Sequence, residues 1–274
     1  MKNTFFLFVS LTFSTIGYSQ TDTIFSNNDK ISCTVKEIIS EEIKYVYPNE
    51  ELTNSIYKNV VQKIVFKSGP IQTFAQATSF KIIKNVDDYK NVTITQIESE
   101  IKGLFKLGEI NSKAKGTTTI SNQIRVKERA YNKLKLNAAM MGANIIYIYN
   151  QRAEGNKQGG YYQSDSSNET SLSGIAYSNS LPNYDSFINI VGEKKYFTAV
   201  EKNSLWSSGS DINKSQIDYK FRIDTVTNES GFIMVKCNFF ESGSETYRVV
   251  SFNREYFNLY FEDKSSCYNV KVKF

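Results

Sequence analysis

Histidine is absent from the 274 residues, and only three prolines, three cysteines and one tryptophan occur. Without imidazole, every Ser-His-acid or Cys-His mechanism is excluded, and so are the common zinc sites that rely on it. An enzyme would have to work with Lys, Tyr, Cys or carboxylates alone. Paired carboxylates stand at Glu41 and Glu42, at Asp87 and Asp88, and at Glu98 and Glu100. Neighbours in a strand point to opposite faces, and acidic pairs at turns are ordinarily just solvated, so the pairs are read as non-catalytic. Phosphate-binding loops, nucleophile elbows and calcium-loop patterns are also missing. The expectation is a protein that is not an enzyme, with no catalytic residue, cofactor or metal ligand.

What is there begins with the N-terminus. Lys2, an apolar run from Phe5 to Ile16, and Gly17-Tyr18-Ser19 before Gln20 fit a secretory signal cleaved between Ser19 and Gln20. The run is well short of the ~20 apolar residues that span a bilayer, and no cysteine follows it to carry a lipid anchor. Export to the periplasm or the exterior is therefore expected, with no lipid anchor and no membrane span after cleavage. Loss of Lys2 lowers the formal net charge of +5 by one, an excess too mild to specify a partner. Another envelope protein or envelope component is the expected partner. Nucleic acid is not, for want of a basic aromatic platform.

With 40% hydrophobic and 14% aromatic residues, the chain has core material for several small domains. The pattern predicts a β-rich multidomain α+β protein: a small β-barrel over 20–85, a helix-on-sheet α/β sandwich over 86–180 and an antiparallel β domain over 181–274. In the first, strands are expected at Lys30–Ile39, Glu42–Tyr47, Ser55–Lys58, Val60–Phe66 and Ile71–Phe74, with a turn at Ser68-Gly69-Pro70. A closed or nearly closed barrel would hide such short strands. The motifs Asp22-Thr23-Ile24, Asn28-Asp29-Lys30-Ile31 and Lys63-Ile64-Val65-Phe66 resemble an SH3-like or Sm-like barrel module of exported bacterial proteins. That resemblance implies a fold and no functional residues.

In the middle region Ser121 is a candidate N-cap, and Val126, Ala130, Leu134, Ala138 and Met141 recur at helical spacing up to Gly142. Gly142 reads as the C-terminal cap, where a left-handed backbone is needed. Strands are expected at Val92–Gln96, Leu104–Ser112 and Asn144–Tyr149. The run Asn137-Ala138-Ala139-Met140-Met141-Gly142-Ala143-Asn144, with the later Gly174-Ile175-Ala176-Tyr177, resembles the YbjQ-like family labelled heavy-metal-binding and the RcsF-like domain. The resemblance implies a helix turning at Gly142-Ala143-Asn144 into a strand, and a later strand that completes the sheet. It carries over no ligand set, because this region has no Cys and no His.

Arg125, Arg129 and Lys133 fall opposite the apolar stripe, with Lys135 to one side. They would meet anionic headgroups or an acidic partner, but the ordinary account of such a row is the solvated side of an amphipathic helix, and that is the expectation. Between Arg152 and Ser173 composition favours disorder, while Tyr161 and Tyr162 keep a contact role open. In the last region six alternating strands and a turn at Asn228-Glu229-Ser230-Gly231 predict an antiparallel sheet or barrel. Trp206 is placed in a Ser-rich connection, where it would anchor a glycan or peptide or, as preferred, plug one end of the sheet. Pleat alternation puts Cys237 inside and Cys267 in water, so three unpaired thiols are expected.

The resulting expectation is an exported, non-catalytic envelope protein presenting interaction surfaces. The alternative is a metal- or small-ligand-binding envelope protein related to stress.

Overall fold

Alternating apolar residues set the first sheet. β1 (Asp22–Ser26), β2 (Lys30–Ile38), β3 (Glu42–Val46), β4 (Asn54–Tyr57), β5 (Val61–Val65) and β6 (Ile71–Thr73) pair antiparallel in the order β4-β3-β2-β1-β5-β6. The computed structural model describes residues 21–26, 30–74, 80–117, 122–155, 167–239 and 246–274. Ile24, Cys33, Ile43, Tyr45, Val61 and Ile64 form the core of this unit. Asp22 is buried, and its carboxylate accepts the backbone N–H groups of Val35 and Lys67, each at 2.8 Å, which ties β1 to its neighbours. Of the closed or nearly closed barrel expected, full closure is not reached among the described residues, where β4 and β6 remain the two edges. These end strands, four and three residues long, are too short to offer each other a continuous hydrogen-bonded edge.

The middle unit holds β7 (Thr93–Thr95), β8 (Phe105–Lys115), α1 (Gln123–Met140), β9 (Ile145–Glu154) and β10 (Glu169–Ser178). Its sheet runs β7-β9-β10-β8, with β7 parallel to β9 and the other pairs antiparallel. The strand holding Gly174-Ile175-Ala176-Tyr177 is thus central, bonded on both sides. β9 and β10 also occupy residues 152–154 and 169–173, parts of the stretch expected to lack structure. Backbone pairing reaches further there than composition suggests.

α1 starts one residue later than expected. The side chain of Asn122 accepts from the N–H groups of Ile124 and Arg125 at 2.8 and 3.3 Å and is the N-cap; Ser121 lies outside the described residues. At the other end Gly142 has φ +78°, Ala143 N–H reaches the Ala138 carbonyl at 2.9 Å and Gly142 N–H reaches that of Ala139 at 3.0 Å. This pair of bonds is a Schellman closure, and it requires the left-handed residue that glycine supplies.

The last unit contains a helix that the alternation did not reveal, α2 (Tyr184–Val191). β11 (Tyr196–Trp206), β12 (Asn213–Glu229), β13 (Phe232–Cys237), β14 (Thr246–Phe252), β15 (Tyr256–Asp263) and β16 (Ser266–Lys273) then close a barrel in sequence order. The side chain of Asn183 caps α2 by accepting from Ser186 N–H at 2.8 Å. Phe187, fully buried, meets Phe252 and Phe257 edge-on with centroids 5.3 and 5.5 Å apart. Phe187 therefore plugs the barrel end formed by Phe257 and Phe274. Trp206, given that role by sequence, ends β11 and remains 52% exposed. Ser230 and Gly231 both adopt positive φ in the two-residue β12–β13 turn, as the twist of a tight hairpin demands.

Candidate functional site

The cationic row of α1 divides along its length. Arg125 and Arg129, in the first turns, are exposed, and Arg129 donates to the Lys115 carbonyl at 2.8 Å. Lys133 is only 6% exposed. The same helical row continues through Asn137 to Met140, which pack against the outer wall of the barrel. Lys133 is drawn into that contact, so its assignment to the solvated side is corrected. Its ammonium donates to the Ser207 carbonyl, and no salt bridge reaches it among the described residues. Burial pushes its pKa below the usual lysine value, with the Cys267 thiol opposing that shift.

The two units share one core. Leu205, Tyr260 and Cys267 of the barrel belong to the apolar cluster that includes Leu134, Ala138 and Met140 of α1. Asn269 donates to the Met140 carbonyl at 2.9 Å, satisfying one of the orphan acceptors at the helix end. Arg248 donates to the carbonyls of Leu107 and Met141 at 3.0 and 3.3 Å, with its guanidinium over the rings of Tyr260 and Phe232. The expectation that Cys267 faces water fails for this reason: it does point out of the barrel, but α1 covers it. Cys237 lies on the opposite, inner face. All three cysteines are free and buried, and burial pushes the thiols up, to about 11 for Cys33 and about 12 for Cys237 and Cys267. Such thiols are poor nucleophiles.

Several openings flank the seam. One, about 670 Å³, is bounded by the 82–87 segment, the 180–183 linker and the barrel wall. Asn203, Asn258, Asn269 and Ser251 give it an amide-rich lining, and its carboxylates Asp87 and Glu201 are both engaged by Lys214. Lys214 pairs with Asp87 at 3.0 Å and Glu201 at 3.5 Å, and Glu201 also accepts from Asn203 and Gln216. Asn258 and Ser251 both donate to the Lys84 carbonyl, so these groups weld the seam.

Another opening is a groove of about 490 Å³ between β8, α1 and the barrel end. Lys133, Asn137, Ser207, Cys267 and Glu262 line one side, and Glu109, Asn111 and Lys113 of β8 line the other. Among the described residues β8 is an edge strand, bonded only to β10. Gly116 N–H reaches the Asn168 carbonyl at 2.8 Å, so from Gly108 onward, past the register shift at Leu107, even-numbered residues turn their backbone groups toward β10 and residues 109, 111, 113 and 115 turn theirs outward. Arg129 takes the Lys115 carbonyl and Arg248 that of Leu107. No backbone partner beyond the sheet meets Glu109, Asn111 or Lys113 among the described residues.

Of the residues singled out by sequence, the groove gathers Lys133 and Trp206, from different units, into one wall. By pleat alternation from Leu205, which faces α1, the Trp206 indole points away from the helix, so its backbone is what belongs to the groove. Tyr161 and Tyr162, and the cleavage residues Ser19 and Gln20, lie outside the described residues. Ala143 and Asn144 are structural: Asn144 is buried and exchanges hydrogen bonds with Asn179 at 2.6 and 3.3 Å. Arg248, Asn137 and Asn269 were not found by sequence reasoning. Their signal was a break in pattern, uncharged Cys267 and Asn269 on the outer row of β16 where Lys271 and Lys273 follow.

Fold and site together define a β-rich α+β protein of three sheets with a polar groove at an internal seam. No family model, no curated protein and no solved structure matches the chain. Among the described residues no helix is long and apolar enough to cross a membrane, and no group of three or more His, Cys, Asp or Glu side chains is arranged to hold a metal ion.

Proposed function

We propose that this is an exported, non-catalytic protein of the cell envelope that recognises another envelope component through the groove beside Lys133. The observation that carries this reading is the state of Lys133: a buried lysine with one carbonyl partner and, among the described residues, no carboxylate. A buried charge is costly unless paired, and a partner's anion would complete it. The leader-like first 19 residues support export. The absence of histidine and the raised thiol pKa values weigh against nucleophilic chemistry.

A photo-crosslinker at Ser265, on the groove rim, tests the reading in cell-envelope fractions. A discrete adduct in the wild type that is lost in Lys133→Met is the expected result. An adduct indifferent to Lys133→Met, turnover of any substrate, or recovery of unprocessed protein from the cytosol contradicts it.

A second reading, a small-ligand-binding protein, is favoured by the amide-lined 670 Å³ cleft. Stoichiometric retention of a small polar ligand or a metal after exhaustive dialysis would put it first.

A further inference from the structure

Sheet edges are where this protein has most to hide. The barrel has none, and three of the four edges of the other two sheets are strands of three or four residues: β4, β6 and β7. β8 is different, with 11 residues. Long unpaired edges invite another strand, and proteins usually blunt them by shortening, covering or distorting them. Here arginines cap the two ends of the outward backbone row, Arg248 at Leu107 and Arg129 at Lys115. The stretch between, Glu109 to Lys113, keeps its outward N–H and C=O groups unbonded within the described residues and opens into the groove.

We propose that the groove takes an extended peptide segment of an envelope partner, added antiparallel or parallel to β8 at Glu109–Lys113, with one of its carboxylates meeting Lys133. This rests on the reading above and names its ligand class. Strand addition takes affinity from main-chain hydrogen bonds and specificity from side-chain contacts. β8 supplies the first through residues 109, 111 and 113. Lys133 supplies the second, as the one groove cation among the described residues that is both buried and without a carboxylate; Lys113 is exposed and already pairs with Glu169 at 2.7 Å. A second copy of the chain adding its own β8 is the rival occupant, and it would set Glu109 against the copy's lysine at 113. The barrel wall opposite β8 favours a single slender strand over a whole second molecule.

The probe is a fluorescein-labelled seven-residue peptide of alternating Thr and Val with one central Glu, read by polarisation on the full mature chain. Saturable binding is expected, with at least a tenfold loss when the peptide's Glu is replaced by Lys, and the same loss in Lys133→Met. Asn111→Pro removes an outward N–H while sparing the bonds to β10, and it should abolish binding. If Asn111→Pro does not fold, amide exchange on the wild type decides: the N–H groups at 109, 111 and 113 should slow on peptide addition while those of β6 do not. No binding, equal binding to Asn111→Pro, no discrimination between Glu and Lys peptides, or unchanged exchange at 109–113 overturns the proposal. A dimer by light scattering that Asn111→Pro splits overturns it in favour of the second copy. If the peptide fails while the Ser265 crosslink still depends on Lys133, this inference falls and the proposed function stands.

Discussion

The two seams of this molecule are built on different principles. Between the middle unit and the barrel, apolar side chains from both sides merge into one cluster, and at the end of α1 the carbonyls of Met140 and Met141 find donors across the boundary in Asn269 and Arg248. Between the N-terminal sheet and the middle unit, contact is mostly polar. Asn59 donates to the carbonyls of Glu100 and Lys102, and Lys102 pairs with Glu41 at 2.6 Å on the surface. The N-terminal sheet keeps a separate core. A shared core makes two units unfold as one, whereas a polar hinge leaves each with its own stability. The groove lies at the first kind of seam, so its walls are held rigidly relative to each other.

Substitutions should separate the seams by size. Arg248→Ala leaves two carbonyls without a buried donor and removes a stacked guanidinium, so a loss of about 2–4 kcal/mol is expected. In urea unfolding this should appear as one earlier transition for α1 and the barrel together; two separated transitions would break the comparison. Gly142→Val comes next, at about 1–2 kcal/mol for left-handed geometry alone. Its Cβ would also sit 3.0 Å from the Val250 carbonyl, a barrel atom, so the seam is strained as well as the helix cap. An unchanged midpoint would show that the cap is dispensable.

Asn59→Ala should cost about 1 kcal/mol, confined to the N-terminal sheet. Proteolysis read by mass spectrometry should show faster cutting before residue 80 and none added after it. Lys102→Ala removes an exposed ion pair and should leave the melting temperature unchanged.

Thiol titration gives the remaining contrast. Each raised pKa means the folded state favours the neutral thiol, so this contribution is complete below pH 9 and is lost as pH rises toward about 11 for Cys33 and about 12 for Cys237 and Cys267. Folded protein at pH 8 should resist alkylation at all three positions, and unfolded protein should react at all three. Fast labelling of Cys267 in the native state would mean that α1 does not cover the barrel.

Local signals carried much of this architecture. The stripe Val126, Ala130, Leu134 and Ala138 identified α1, Gly142 its end, and alternation the strands of the barrel, because each depends on neighbours in the chain. What failed depends on distant partners. Lys133 reads as surface until the barrel is placed against its row, and Cys267 reads as wet until α1 covers the wall. α2 was hidden because its Asn183 cap and the Phe187–Val191 spacing cover only two turns. Trp206 was placed in a connection because Ser-rich sequence follows it, whereas pairing with Ser266 makes it the last residue of β11. The groove was illegible for a similar reason: an edge strand is recognised only when the sheet order is known.

Native-state hydrogen exchange on the intact chain tests the central claim most directly. If α1 and the barrel are one body, the amides of Lys133–Met140 and of Val270 should open at the same free energy and share one denaturant dependence, while those of β1 and β5 follow a separate, lower one. Opening of α1 at a lower free energy than β16 would contradict the fused seam, and with it the rigid groove on which the proposed recognition depends.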